Sequence, residues 1–249
     1  MIKNSLSIDK LLSLVEGDSP DYSNQASGGQ LKALYEDRFA GTESNRISVW
    51  YQLSRHFFQQ WVEPTATVLD IGAGYCEFIN TISAGRKYAI DLNPETVAKA
   101  GRDVTVIQQD VRERWPLESE SVDVAFSSNF FEHLTEKQAI WWCLNEAYRV
   151  LKPGGRMIAI GPNIRFCAGL YWDFFDHHLP LSDRTMEEVF MLNGFKIERL
   201  VPRFLPYSMR GHNLRRTALL VRLYLMMPFV WNIFGKQFLV VARKPSLER

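Results

Sequence analysis

The chain has 249 residues, 46% of them hydrophobic, enough to bury the core of one α/β domain with no second domain required. Its 29 Lys and Arg against 28 Asp and Glu leave a net charge of +1, which gives no global field to draw nucleic acid or repel acidic substrates. Three Cys at irregular spacing form neither a disulfide framework nor a zinc pattern; Cys143 and Cys167 read as core hydrophobes.

In chain order, residues 1–30 open with a short amphipathic pattern (Ile8, Leu11, Leu12, Leu14, Val15) and continue through a Ser, Gly, Asn and Asp-rich stretch, which predicts a flexible N-terminal arm. No basic segment precedes an apolar run there, so no secretory signal is read and the cytoplasm is the expected location. Residues 31–62 carry apolar side chains at helical spacing, predicting two helices that end before Pro64. Apolar runs near 67–71, 87–91, 104–108, 122–127 and 156–161 then alternate with helical patterns, and two late runs near 195–201 and 237–243 make seven strands. The pattern predicts an α/β fold, Rossmann-like, with a mostly parallel sheet covered on both faces.

The first strand ends in Asp70-Ile71-Gly72-Ala73-Gly74 and runs on into a helix, a turn that lets the backbone approach a ligand while free N–H groups point at it. The second strand ends in Asp91, with Leu92 beside it; a carboxylate there is placed to accept hydrogen bonds from ribose hydroxyls. Asp110 and Val111 close the third run and suit the exocyclic amine and face of an adenine. A dinucleotide fingerprint would need a third Gly where Glu77 stands, and a carboxylate in the first helical turn repels a pyrophosphate. The ligand predicted is therefore an adenosine with a cationic centre and no phosphate.

These motifs, followed in order by Val122-Asp123-Val124-Ala125-Phe126, Asn129-Phe130-Phe131-Glu132-His133-Leu134 and Leu151-Lys152-Pro153-Gly154-Gly155, resemble a class I S-adenosylmethionine (SAM)-dependent methyltransferase of the small-molecule type over residues 45–165. The resemblance implies a last strand antiparallel to the rest, SAM as cofactor and S-adenosylhomocysteine as product. It implies that Gly72, Ala73 and Gly74 cradle the methionine part, that Asp91 meets the ribose, and that Asp110 and Val111 meet the adenine, with Asp70, Leu92 and Asn129 also among the expected cofactor contacts. Backbone at Ser128 and Asn129 would lie near the SAM amino group. Residues 31–62 would cover the pocket, with Tyr35, Arg38 and Arg46 the candidates to reach the cofactor and Arg46 a bidentate partner for its carboxylate. Cys76 departs from the family's usual third Gly; it is small enough to keep the turn, and its thiol is open to a redox role.

The segment after the fifth strand holds Asn163, Arg165 and the run Tyr171-Trp172-Asp173-Phe174-Phe175-Asp176-His177-His178, at the sheet edge where methyl acceptors bind in this fold. Asn163, Arg165, Tyr171, Trp172 and Asp173 are candidate acceptor contacts. His177 or His178 is the candidate base for a hydroxyl acceptor, oriented by Asp176 or Asp173. His133 either approaches the acceptor or organises its loop. Two other readings of the run stay open: a divalent ion holding a diol, although no metal is assigned, and a plain core with helix-capping polar groups.

Residues 207–235 form an apolar and basic insertion between the last two strands, with a helix over Leu214 to Met227 too short to span a bilayer. Membrane-surface contact, a homodimer interface and core packing all suit it. The resemblance extends to bacterial methyltransferases associated with polysaccharide and glycolipid assembly. The expected function is therefore O-methylation of a sugar, glycolipid or other small or lipid-linked molecule, in line and with a His base, and with no nucleic-acid partner. A quinone, polyketide or amine methyltransferase and a non-catalytic SAM-fold scaffold remain the alternatives.

Overall fold

The computed structural model describes residues 43–167, 169, 171–207 and 214–246. The expected arm over 1–30, and Tyr35 and Arg38, lie outside the described residues. In chain order the elements are α1 (Glu43–His56), a 3-10 turn (Phe58–Trp61), β1 (Thr67–Ile71), α2 (Glu77–Thr81), β2 (Arg86–Asp91), α3 (Glu95–Lys99), β3 (Val104–Gln108), β4 (Val122–Ser128), a 3-10 turn (Phe131–His133) and α4 (Lys137–Val150). They are followed by β5 (Leu151–Pro162), α5 (Asp183–Leu192), β6 (Lys196–Val201), α6 (Leu214–Met226), α7 (Pro228–Phe234) and β7 (Gln237–Arg243).

The seven strands form one sheet in the order β3-β2-β1-β4-β5-β7-β6. β1 to β5 pair in parallel, and β7 runs antiparallel to both neighbours, β5 and β6. The Rossmann-like α/β architecture and the antiparallel last strand follow the sequence expectation. Alternation along the strands explains the layering: Val68 faces one apolar core with Phe58, Phe78 and Phe126, while Leu69 and Ile71 face the other with Phe131, Leu144 and Phe190. A strand whose successive residues are all apolar is the mark of a sheet buried on both sides.

Two details differ from the sequence reading. The link between β3 and β4 is irregular where a helix was expected; the Trp115 side chain fills its underside, its indole N–H donating to the Val111 carbonyl. β5 begins at Leu151, five residues before the run near 156–161 expected for it, because Leu151 already pairs with Val122 across a register shift. Of the region 31–62, the described part is α1 and the 3-10 turn, which pack Leu53, Phe57 and Phe58 into the core.

Candidate active site

The carboxyl ends of β1, β2, β4 and β5 meet at one edge of the sheet, where an open parallel sheet presents its ligand crevice. β1 leaves that edge through the Gly72–Gly74 turn. Gly72 has φ +67, and a Cβ there would sit 2.2 Å from the Phe130 ring, so only glycine closes the turn. Gly74 has φ +51, and among the described residues a Cβ there would meet nothing within 4 Å, room that a ligand could use. Cys76 also takes a left-handed backbone, φ 62, and caps α2. It keeps the turn at a strain of roughly 1 kcal/mol or more. Its thiol is fully buried with Sγ 3.7 Å from the Thr96 carbonyl oxygen, and burial, with Asp70, Glu77 and Asp91 nearby, pushes its pKa up to about 12. That corrects the redox expectation, since a reactive thiol needs exposure and a low pKa.

Asp91 holds the turn from the neighbouring strand. Its Oδ2 accepts the Gly74 N–H at 2.7 Å and its Oδ1 accepts the Asn93 N–H at 2.7 Å. A carboxylate accepts about four hydrogen bonds, so with the Gly74, Asn93 and Leu92 N–H groups around it the carboxylate keeps capacity for a ribose hydroxyl. Burial raises the Asp91 pKa against these bonds and the charge of His133. Asp70, buried on β1, is pushed well above the carboxylate range by burial and by the charges of Glu77 and Asp91. Three carboxylates thus converge on one glycine turn. The setting is hostile to a phosphate, and its acids, where ionised, are complementary to a sulfonium and an ammonium. Room over Gly74, acceptor capacity on Asp91 and this acidic setting fit SAM.

Other predicted contacts are arranged differently. Arg46 Nε pairs with Glu77 Oε1 at 2.8 Å and its guanidinium lies 4.9 Å from the Tyr75 ring centroid, so it neutralises one carboxylate of the trio at the start of α2. Asp110 is bound by Arg112, with Nη2 to Oδ2 at 2.6 Å and Nε to both oxygens at 3.0 Å, which lowers its pKa. The open acid expected for the adenine amine is therefore half of a bidentate pair, and Val111 is buried beneath it. Leu92, beside Asp91, is 62% exposed. Asn129 ends β4 at φ 49, its amide N–H bonded to the Ile160 carbonyl and its side chain to Ser128 Oγ.

A second cluster stands at the same edge. His133 Nδ1 is 2.9 Å from the Asp176 carbonyl oxygen and 3.4 Å from its Oδ2. His177 Nδ1 is 2.6 Å from the Tyr171 carbonyl oxygen, and the two imidazole centroids are 4.9 Å apart. A ring nitrogen facing a carbonyl must be the protonated one, so each ring carries its proton on Nδ1 and its lone pair on Nε2. Burial works against protonation of His133, but the bond to Asp176 and the charges of Glu132 and Asp176 outweigh it and raise its pKa. One ligand-type atom from each of His133, Asp176 and His177 lies within 4.8 Å of the others, a spacing that a divalent ion could also bridge.

Tyr171 fixes His177 twice. Its ring stacks on the imidazole at 4.2 Å, and its hydroxyl donates to buried Glu132 Oε1 at 2.5 Å. The Glu132 carbonyl accepts the N–H groups of His178 and Leu179, sewing the acceptor segment to the β4 tip. Trp172 and Phe174 complete an aromatic wall around His177, and the Trp172 indole donates to the Cys167 carbonyl. Glu132 escaped sequence reasoning; its signal was a carboxylate inside the otherwise apolar Asn129–Leu134 run.

Four predicted residues are not brought into this cluster. His178 and Asp173 are exposed, with His178 beside the Phe175 ring. Asn163 is fully buried, donating to Asp183 Oδ1 and the Pro202 carbonyl. Arg165 pairs with both oxygens of the same Asp183, which opens α5. Asn163 and Arg165 therefore brace the exit of β5, because a buried Asp at a helix start needs partners.

Residues 69–159 match the model of the methyltransferase domain family. Among solved structures, a SAM-dependent methyltransferase of Archaeoglobus fulgidus aligns with TM-score 0.59 and 21% identity, covering 86% of this chain and 99% of that one. The Haloferax volcanii complex of the Trm112 methyltransferase activator with a methyltransferase matches with TM-score 0.61 and 18% identity, over 88% and 97% of the two chains. A Thermotoga maritima SAM-dependent methyltransferase, described as a possible histamine N-methyltransferase, gives 0.59 and 17%, over 85% and 96%. Residues 69–159 thus match a methyltransferase domain, the solved structures share the fold of the chain, and the glycine turn and the Asp91 hydrogen bonds within that stretch suit SAM as its cofactor.

Proposed function

We propose that the protein transfers the SAM methyl group to a hydroxyl oxygen of a small or lipid-carried acceptor such as a sugar or glycolipid, with His133 or His177 taking the hydroxyl proton. The observation that carries the reading is the pair of imidazoles at the cofactor edge, both with Nδ1 against a backbone carbonyl, which in the neutral ring makes Nε2 the acceptor nitrogen. Methyl transfer is an in-line displacement, so most of its acceleration comes from holding nucleophile and methyl in line and dry. SAM supplies the electrophilic methyl. Asp91 and the glycine turn orient it, the carboxylate trio balances its cations, and the wall of Tyr171, Trp172 and Phe174 excludes water from the proton transfer. A hydroxyl needs such a base where a neutral amine does not, which favours oxygen over the amine alternative. The substrates of this reading lie in the cytoplasm or at the inner face of its membrane.

Isotope-labelled SAM and a panel of sugars, glycolipids, quinones and amines test the reading. Label is expected in a hydroxyl-bearing acceptor, with a rate that rises with pH as the imidazole is deprotonated and is unchanged by chelator. SAM binding with no labelled product across the panel favours the scaffold reading, and loss of turnover on chelation favours an ion held by His133, Asp176 and His177.

A further inference from the structure

Between Glu198 and Gln237 the sequence holds seven Lys and Arg and no Asp or Glu, in a chain whose net charge is only +1. This acid-free stretch contains α6 and α7. Their inner sides are anchored: Val221, Leu225 and Trp231 are buried in the core, and the Trp231 indole N–H donates to the Tyr224 carbonyl. Their outer sides are apolar where a surface helix is normally polar. Leu219, Leu220 and Leu223 on α6 and Phe229, Ile233 and Phe234 on α7 are 42–68% exposed. Isolated exposed apolar residues are ordinary, but six on two consecutive short helices form a patch that asks for a partner.

Shape and charge select that partner. α6 and α7 are bent by 110° at the break between them, and no described helix is long and apolar enough to cross a bilayer alone. A bent pair of short helices with apolar side chains on both legs suits a place in the interface plane. Exposed Arg222 stands on α6 among the apolar residues, and Arg55 is exposed at the end of α1. His56 feels both: slight burial, Arg222 and Arg55 together lower its pKa, which marks the rim as cationic. A second copy docked through the same helices would set two copies of this basic, acid-free stretch against each other, whereas anionic headgroups neutralise it.

Placement links the patch to the chemistry. β7 begins at Gln237, paired with Pro162 at the end of β5, so α6 and α7 leave and rejoin the sheet at the edge that holds the glycine turn. Tyr207, on the segment leading toward α6, packs edge-on against Tyr171 at 5.0 Å, and Arg203 lies 4.9 Å from the Phe166 ring centroid. We infer that α6 and α7 dock this edge onto an anionic lipid bilayer, with the apolar side chains in the headgroup boundary and the arginines on the phosphates. An acceptor carried on a lipid then meets the imidazole pair without leaving the membrane surface.

Vesicle co-sedimentation of the full chain tests this without any acceptor, so its outcome is separate from that of the methyl-transfer reading. The protein is expected to sediment with phosphatidylcholine vesicles containing a third phosphatidylglycerol, and several-fold less with phosphatidylcholine alone or at 0.5 M salt. Phe229→Ser with Phe234→Ser should lower partitioning at least about tenfold, and Arg222→Glu about fivefold or more, both with SAM affinity unchanged. Full recovery in the supernatant with anionic vesicles overturns the inference. So does a concentration-dependent dimer in analytical ultracentrifugation that the Phe pair of substitutions dissociates, since it assigns the patch to a second copy.

Discussion

The cofactor half and the acceptor half of the crevice share one sheet edge and are built by opposite means. The cofactor half is local: turn, capping Cys76, Asp91 and Asn93 lie within 22 residues, tied by backbone N–H groups to one carboxylate. The acceptor half joins residues about 40 positions apart: Glu132 to Tyr171 and His133 to Asp176. A binding site made of strand tips is rigid before its ligand arrives. A reaction site made of a long loop needs buried anchors, and the Glu132 carboxylate is one. The difference predicts that substitutions separate cleanly into those that lose cofactor and those that lose only turnover.

The largest effect should come from Gly72→Ala. Its Cβ would fall on the Phe130 ring and on a positive φ, a cost of about 3 kcal/mol or more that distorts the turn. Calorimetry should find SAM binding abolished, and retained binding would show that the turn yields. Next, His177→Ala and His133→Ala should each leave SAM affinity within about twofold, and one of them should slow turnover on a hydroxyl acceptor about 100-fold or more. If neither slows it, the proton leaves by another route. Because its partners raise the His133 pKa, its basic form appears above the ordinary histidine range. If His133 is the base, the rising limb of the pH–rate profile lies there, and Asp176→Asn should move it to lower pH by removing a charge that favours the imidazolium.

Asp91→Ala probes the cofactor side alone and should weaken SAM binding by about 2–3 kcal/mol, since a buried, charge-assisted acceptor is lost. Unchanged affinity would refute its role. Tyr171→Phe is gentler. The ring still stacks and the carbonyl still holds His177, but the bond to Glu132 goes, so turnover should fall about tenfold at saturating SAM while the cofactor KM stays put. A parallel change in both parameters would mean that the two halves are not separable.

This division also explains what the sequence disclosed. Strands, order of motifs and the glycine turn were legible because each is a pattern within a few residues: Val68-Leu69-Asp70-Ile71 must be a doubly buried strand, and Gly72 has no substitute. The cluster around His177 was legible only as composition. Nothing in the run Tyr171–His178 tells that His177 turns inward while the adjacent His178 faces solvent; the Tyr171 carbonyl and Glu132, supplied by folding, decide it. Asn163 and Arg165 misled for the same reason, since their partner Asp183 is about 20 residues away. Asp110 misled locally: Arg112 was visible two residues on, and a bidentate pair at that spacing leaves the carboxylate closed.

The smallest expected effect tests the carboxylate trio itself. Asp70 is an acid whose folded pKa is raised, so the folded state binds a proton that the unfolded chain releases in the same pH range. Keeping this buried acid costs folding stability above the ordinary carboxylate pKa of the unfolded chain, and the cost fades as pH falls below the folded pKa. Asp70→Asn keeps an oxygen for the Ile79 N–H and removes the charge. The cofactor-free variant should then melt at a higher temperature than the parent at pH 8, with the gap closing toward acid pH. The same variant should bind SAM more weakly, because the field that strains the empty turn is the one that attracts the sulfonium. Stability gained together with affinity lost would show that the negative field serves the cofactor and not the fold; a variant less stable at every pH would assign Asp70 to the fold instead.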